Sequence, residues 1–549
     1  MSVLSYVFKI GTSLFGWGMT GTKPFPANWF GKASVRYAGS GLSGLLLFAC
    51  FPLLNCNILV WIACLPLLMA LASERRWSQG FWLGYLAGAV FLSGSCYWFV
   101  SVMQGYGNLN PVVAAGVLFL FVVVFSTFYG ALGVLETAVA QRSTGAALIL
   151  SPFLWVALEL ARTYLVTGFP WNLLGYALRP EGLQQVASVT AVYGLSFLAV
   201  AASALVAWVA LAPRRRAALV CLSVWATILV AGNWLLEPPA PTTEPNLALL
   251  VQPNIPLGEA AMDAWVPWTN PAPLESLVSD SLEAAREAGA TAAAPPLLVW
   301  PETSAPFLFG RDPVFRGALQ NMAKQAGAYV ISGTVSFLGP ESSRPQNSAV
   351  LLGPDGDLLL HYAKIHLVPF GEYVPWWAFP GKVGKITAEV GDFVPGKSVE
   401  VAKTPEGAIG IFICYEAIFP QLVRKFAAEG AGVLVNISDD GWYGDSSAPF
   451  QHFEMARFRA IENGRFVLRG TNDGITAIID PYGRVQKEIP RKQFGILAGH
   501  FRYLTKKTFY TEYGDVFAWF CVAVAAGIII ALLALPGFRR AEPSGIQKS

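Results

Sequence analysis

The sequence predicts an α-helical transmembrane bundle of about eight spans, with an extracytoplasmic α/β domain inserted before the last span. Three observations carry this expectation. Hydrophobic residues make up 54% of the 549 and charged residues only 13%, whereas soluble globular domains are about a quarter charged. Apolar runs dominate residues 38–236 and return near 516–537. Between them a more polar stretch alternates short β-rich runs with helical ones, the order of a layered α/β domain.

The spans come first. Apolar runs lie near 38–55, 56–73, 80–101, 111–135, 146–166, 186–212, 216–236 and 516–537, each in the range of roughly 17–25 residues that crosses a hydrocarbon core. Only Asn55, Cys56 and Asn57 separate the first two. Orientation follows from basic residues in short loops, which collect on the cytoplasmic side. Lys9, Lys23, Lys32 and Arg36 precede the first span. Arg75 and Arg76 follow the second, Arg142 the fourth, Arg214, Arg215 and Arg216 the sixth, and Arg539, Arg540 and Lys548 the last. The alternate loops, 105–111 and 167–184, hold only Arg179. Both termini are then cytoplasmic and the α/β domain is not. Residues 1–36 read as an N-terminal extension that lacks the ordered parts of a cleaved signal. The bundle occupies 37–236, a Pro-rich linker 237–245, the α/β domain 246–505, and the last helix with its tail 506–549.

Within the domain, strands are expected at 247–251, 297–300, 329–334, 348–352, 358–362, 409–414, 433–437, 465–469 and 475–479, and helices at 273–288, 312–326, 416–429 and 449–463. No internal repeat is visible. The net charge of +3 is too small to point to nucleic acid. There is no Gly-rich phosphate loop and no credible metal cluster, so no cofactor is expected. His361 and His366 lie five residues apart without a carboxylate or Cys pattern around them. Of seven cysteines, six lie in or beside apolar runs, where Cys behaves as a small hydrophobe. Cys414 is the one in the polar segment, so no disulfide framework forms there.

Three domain positions stand out together. Cys414 ends an apolar strand just before a helical pattern that begins at Tyr415, a turn whose helix N-terminus favours a thiolate. Glu302 directly follows the buried run Leu297-Leu298-Val299-Trp300-Pro301, where burial raises a carboxyl pKa toward that of a general base. Lys364 follows a third β-run and is placed to hold an oxyanion. Alone, each has an ordinary alternative: a buried thiol, a helix-start acid, a surface lysine. A Cys–His dyad using His361, His366 or His452 is also open at this level. Glu159 and Arg162 sit three apart in a predicted span, as an ion pair or a lipid-headgroup contact.

Trp300-Pro301-Glu302, Tyr362-Ala363-Lys364 with Pro369-Phe370-Gly371-Glu372, and Ile413-Cys414-Tyr415-Glu416 resemble the carbon–nitrogen hydrolase (nitrilase) superfamily. With the multi-span bundle, the chain over roughly 38–540 resembles the apolipoprotein N-acyltransferase family. Val251-Gln252-Pro253-Asn254, Gly441-Trp442-Tyr443-Gly444 with Gln451-His452, Gly474-Ile475-Thr476-Ala477 and Thr167-Gly168-Phe169-Pro170-Trp171-Asn172 are similar to it as well. Asp439-Asp440-Gly441 departs from an Asn-Asp-Ala-like run, and Asp473 replaces a common Asn.

The resemblance implies an αββα sandwich with Glu302 as general base, Cys414 as nucleophile and Lys364 as oxyanion donor. It implies that Glu372 orients Lys364 or shuttles a proton, and that Tyr415 and Glu416 line the site. Trp442 and Tyr443, in a Gly- and Ser-rich loop, are expected to form a lid or dip into the membrane interface. The implied donor is a membrane phospholipid, phosphatidylethanolamine by family likeness. The implied acceptor is a diacylglyceryl apolipoprotein, and the location is the bacterial inner membrane with the domain on the periplasmic side. Three rivals remain: a membrane-anchored amidase, a transporter with a binding domain, and a scaffold with an inactive enzyme domain.

Overall fold

The computed structural model describes residues 30–105, 109–211, 215–242, 244–257, 263–291, 294–302, 307–339, 344–373 and 393–534. Lys9, Lys23, Arg214, Arg539, Arg540 and Lys548, used above for orientation, lie outside the described residues.

The membrane part contains α1 (Ala33–Ala49), α2 (Leu65–Ser73), α3 (Trp77–Ser95), α4 (Trp98–Gly105), α5 (Pro111–Ala140), α6 (Thr144–Tyr164), α7 (Val192–Leu211) and α8 (Arg215–Leu235). Among the described residues, four helices are long and apolar enough to cross a membrane alone: α5, α6, α7 and α8. Counting α3 and α4, which meet at a 47° bend, as one broken span makes five. Of the other expected spans, α1 has 17 residues and Asn57–Ser73 falls below single-span length, while the last helix is described from Val516 to Ala534. Local backbone explains the shortening. The run at 38–55 leaves the helix at Ala49 and turns through Leu53 and Asn55, which take positive φ of 119° and 55°. The run at 186–212 is interrupted at Ala191, with φ 52°, so a continuous helix starts only at Val192.

Helices α3 and α5 pack through glycine. A Cβ on Gly84 would collide with the Tyr129 carbonyl, and one on Gly133 with that of Gly80. Small residues permit this backbone approach, and dispersion across it holds helices together where lipid removes the hydrophobic drive. Two buried charged groups of the bundle, Glu159 and Arg162, make local hydrogen bonds. Glu159 Oε1 accepts from Trp155 Nε1 (2.9 Å) and from the Leu174 N–H (2.8 Å). Arg162 donates to Tyr129 Oη (2.5 Å) and to the Trp171 carbonyl (2.6 Å). Each is 1% exposed, and neither an ion pair between them nor a lipid-facing headgroup contact describes them. Arg162 instead ties down the 167–172 loop.

Among the described residues, the domain forms two six-stranded sheets. The first joins β1 (Asn246–Gln252), β2 (Leu297–Val299), β3 (Tyr329–Phe337), β4 (Pro345–Leu352), β5 (Leu358–Ala363) and β12 (Gly495–Phe501) in the order β12-β1-β2-β3-β4-β5. The second joins β6 (Val401–Lys403), β7 (Ala408–Ile413), β8 (Val433–Ser438), β9 (Val467–Thr471), β10 (Thr476–Ile479) and β11 (Val485–Ile489) in the order β11-β10-β9-β8-β7-β6. Each has a parallel three-strand centre, β1-β2-β3 or β7-β8-β9, flanked by antiparallel strands.

Period-two alternation of strand side chains divides the core. Ala248 and Leu250 face the second sheet, packing with Ile411, Ile413, Val433 and Val435. Leu249 and Val251 face outward, onto α9 (Ala272–Glu287) and α10 (Pro313–Ala326) through Leu274, Leu277, Phe315 and Leu319. On the far side lie α11 (Pro420–Ala428) and α12 (Ala448–Asn463), completing the four αββα layers. α12 is buried nearly all round: Phe453, Ala456 and Ala460 join the domain core, while Met455, Phe458 and Ile461 join the core of the bundle. The chain closes with α13 (Val516–Ala534), which packs on α6.

Candidate active site

Strand ends bring the site together. Glu302 lies just beyond β2, Cys414 directly after β7, Asp439 and Asp440 directly after β8, and Lys364 directly after β5. The parallel centres of both sheets point these C-terminal ends at one place.

Lys364 is 1% exposed. Its Nζ lies 2.9 Å from Glu372 Oε1 and 3.5 Å from Glu302 Oε1. Asn347, on β4, donates from Nδ2 to both of those oxygens at 2.7 Å. Glu302 Oε2 accepts from the Asp439 N–H (2.9 Å), and Glu372 Oε2 from the Val368 N–H (2.7 Å). Two carboxylates and one amide thus fix one ammonium in place. Burial works against the Lys364 charge, but Glu372 and then Glu302 outweigh it and hold its pKa above the ordinary lysine value.

Cys414 sits at φ 47°, in the left-handed region, which costs a non-glycine residue about 1–3 kcal/mol and persists where the surroundings over-determine it. Glu416 supplies much of that determination. Its Oε2 accepts the Ile413 N–H (2.7 Å), and its Oε1 accepts Tyr362 Oη (2.8 Å), the Ile365 N–H (2.7 Å) and the His366 N–H (3.2 Å). Glu416 therefore joins β5, β7 and the start of the next turn. Burial raises its pKa, with the Ile413, Tyr362 and Ile365 donors pulling it back.

The sequence placed a helix at 416–429. Instead, Cys414–Ile418 form a 3-10 turn and the α-helix starts at Pro420. Phe419 is extended (φ −98°, ψ 96°), as a residue before proline prefers. No long helix points its N-terminus at the sulfur, and the expected thiolate bias does not prevail. Burial, and next the charge of Glu302, push the Cys414 thiol well above its ordinary value, with Lys364 pulling the other way.

The histidines are placed differently from a Cys–His dyad. His361 is exposed on β5. His366 packs on Phe419, with ring centroids 3.7 Å apart. His452 Nε2 lies 3.0 Å from the Cys414 carbonyl oxygen. That bond goes to the backbone of Cys414 and not to its thiol.

Tyr415 is buried and packs against Phe419 and His366. Tyr443 is buried at the bundle junction, 5.2 Å from Trp98 and 5.8 Å from Trp171 by ring centroids. Trp442 beside it is partly buried. Asn347, Asp440, His452 and Arg469 also belong to the site or its support. For Asp440 a sequence signal existed, since it follows the β8 run just as Glu302 and Cys414 follow theirs. For Asn347 there was none.

The signature of the apolipoprotein N-acyltransferase N-terminal domain matches residues 43–205, and that of carbon-nitrogen hydrolase matches 250–502. An apolipoprotein N-acyltransferase of Geobacter metallireducens is 38% identical over 92% of this chain and 95% of its own length. One from Allorhizobium ampelinum is 33% identical over 75% and 78%. Among solved structures, Saccharomyces cerevisiae Nit3, a member of the nitrilase superfamily, aligns with 54% of this chain and 97% of its own at a TM-score of 0.37 and 18% identity. With relatives at 38% and 33% identity matched along 95% and 78% of their own length, this chain belongs to the apolipoprotein N-acyltransferase family.

Proposed function

We infer that this membrane-embedded enzyme moves an acyl chain from a phospholipid onto the N-terminal amine of a diacylglyceryl-cysteine lipoprotein, through a thioester on Cys414. The observation that carries the site assignment is the Lys364 ammonium held between Glu302 and Glu372, in the cluster of strand ends that includes Cys414 directly after β7.

The thiol starts protonated, as burial favours. Glu302 takes the S–H proton as sulfur attacks the ester carbonyl. The oxygen becomes an oxyanion, held by Lys364 and a backbone N–H near Tyr415. Collapse breaks the C–O bond, and the lysophospholipid alkoxide leaves with the proton from Glu302. The lipoprotein amine then attacks the thioester and Glu302 takes its proton. The C–S bond breaks, the amide forms, and the sulfur is reprotonated. Splitting one difficult exchange into two is the gain of covalent catalysis. Glu372 and Asn347 keep Lys364 and Glu302 in register, and Tyr415 and Glu416 shape the wall around Cys414.

Transfer in preference to hydrolysis follows from the surroundings. Cys414 is 6% exposed, and Trp98, Trp171 and Tyr443 form an aromatic contact beside the site. An apolar, water-poor site protects a thioester from water. Tyr443 in this reading seals the junction, with Trp442 as the more mobile partner of the loop. The eight-span count, the periplasmic side, the inner membrane, cytoplasmic termini and the domain limits given above complete the proposal. The Lys and Arg asymmetry of the loops supports its orientation. Phosphatidylethanolamine is the donor carried over from the family.

Intact-protein mass spectrometry after incubation with phosphatidylethanolamine vesicles tests this, wild type beside Cys414→Ser. The expected result is an acyl-sized gain on the wild type that a diacylglyceryl-cysteine peptide removes and water does not. An adduct lost equally fast to water alone would instead identify a membrane-anchored amidase.

A further inference from the structure

We propose that His452 is a positioning residue that holds the Cys414 backbone through its Nε2 hydrogen bond, and that the membrane bundle braces it in that role.

The carbonyl of Cys414 only accepts, so the His452 Nε2, 3.0 Å away, carries the hydrogen. A nitrogen committed in this way does not take a proton from the sulfur. The other ring nitrogen, Nδ1, lies 2.9 Å from Asp440 Oδ1 and 3.2 Å from Arg469 Nη2. Asp440 is held in turn: Oδ2 accepts from Arg469 Nη2 (2.7 Å) and Oδ1 from Ser438 Oγ (2.8 Å). Arg469 also bonds Asn436 Oδ1, and Asn436 Nδ2 donates to the Phe412 carbonyl at 3.2 Å. All of these residues are fully buried. The ring is thus fixed at both nitrogens, with one end on the residue that has the unusual backbone.

The brace comes from the other half of the molecule. The Trp171 ring stacks on His452 with centroids 6.0 Å apart and planes within 14°. Trp171 Nε1 donates to Gln451 Oε1, the neighbour of His452, at 2.6 Å. The Trp171 carbonyl is the one held by Arg162 of α6. Tyr443 closes a second side at 5.8 Å. A continuous path of contacts therefore runs from a membrane helix through Trp171 and His452 to the nucleophile. A catalytic domain that is folded but poorly seated on the bundle would present Cys414 out of line with Glu302 and Lys364. The chemistry is thereby tied to the assembled protein.

The test compares His452→Gln, His452→Asn and His452→Ala in the full-length protein in nanodiscs. It follows the nitrophenolate burst from p-nitrophenyl acetate, which needs a competent Cys414 but no lipid. Gln can offer a side-chain N–H near the Nε2 position; Asn offers one only near Nδ1. The Ala and Asn variants are expected to acylate about a hundredfold more slowly, the scale of a small misplacement of a reacting group. Gln is expected to stay within about fivefold of wild type, and burst amplitude normalises each rate to folded protein. Trp171→Leu should slow the burst about tenfold, and Trp171→Phe, which keeps the stacking, much less. Gln as slow as Asn, or all three His452 variants within about threefold of wild type, would overturn the role. The inference rests on the acyltransferase reading for its purpose, and the two fail separately. A wild type that bursts with the nitrophenyl ester but gains no acyl group from phospholipid sinks the transferase reading alone.

Discussion

Lys364 shows how one side chain can be both buried and charged. Its ammonium is buried, and what keeps it charged is the pair of carboxylates on either side. Lys364→Ala removes the proposed oxyanion donor, and losing one such donor typically costs about 3–4 kcal/mol, or roughly 10²–10³ in kcat. Steady-state transfer to a lipopeptide, with acyl-enzyme formation timed separately, should show that loss in both half-reactions. Glu416→Leu leaves four donors without an acceptor, at about 1–3 kcal/mol for each one buried and unsatisfied. Its thermal midpoint should drop by many degrees, and Glu416→Gln should lose less. At this scale Glu302, Lys364 and Cys414 were legible because each directly follows an apolar β-run. Asn347 was not, because its partners are contributed by residues 45 and 25 positions away.

Among elements, the α3–α5 contact depends on glycine for its close backbone approach. Gly84→Leu should push the two helices apart and lower the yield of monodisperse protein in detergent, whereas Gly116→Leu, where added atoms meet open space, should not. The 365–372 turn carries a pH signature. Burial lowers the pKa of His366 from 6.5 to about 4, so the unfolded chain binds a proton that the folded one refuses. That stability is complete above pH 6.5 and is lost as pH falls toward 4, up to about 3 kcal/mol. Thermal melts at pH 7 and pH 4.5 should show the drop, and His366→Gln should flatten part of it. Strand positions were legible where apolar residues run together. β11 was missed because its centre is Gln486-Lys487-Glu488 and exposed, as a charged edge strand is. β12 was missed because Gly495 and Gly499 weaken its propensity, and pairing with β1 along seven residues overrides it.

The whole molecule depends on α12, which is buried nearly all round. Arg459 and Glu462 pair at 3.1 Å with both side chains fully buried. Glu462 also accepts the Val192 N–H at the start of α7, and Arg459 reaches Tyr176. Removing one partner of a buried pair typically costs about 3–5 kcal/mol. Glu462→Ala should therefore uncouple the domain from the bundle, seen as early proteolysis between them and loss of transfer activity. The double variant Arg459→Met with Glu462→Leu should recover much of the stability.

Composition and local pattern by themselves determined that this chain enters a membrane, that it carries an α/β domain, and which three residues follow the critical strands. Those properties belong to single segments, whose hydrophobicity and periodicity are local. Tertiary structure decided the rest. It bent one apolar run between Ser95 and Trp98, broke another at Ala191 where φ is positive, and delayed the helix after Cys414 to Pro420. It turned His452 toward a carbonyl, and it set the balance of burial and charge at Cys414. Each of these depends on groups far apart in sequence that share one small, poorly solvated volume, where desolvation and pairing outweigh local preference.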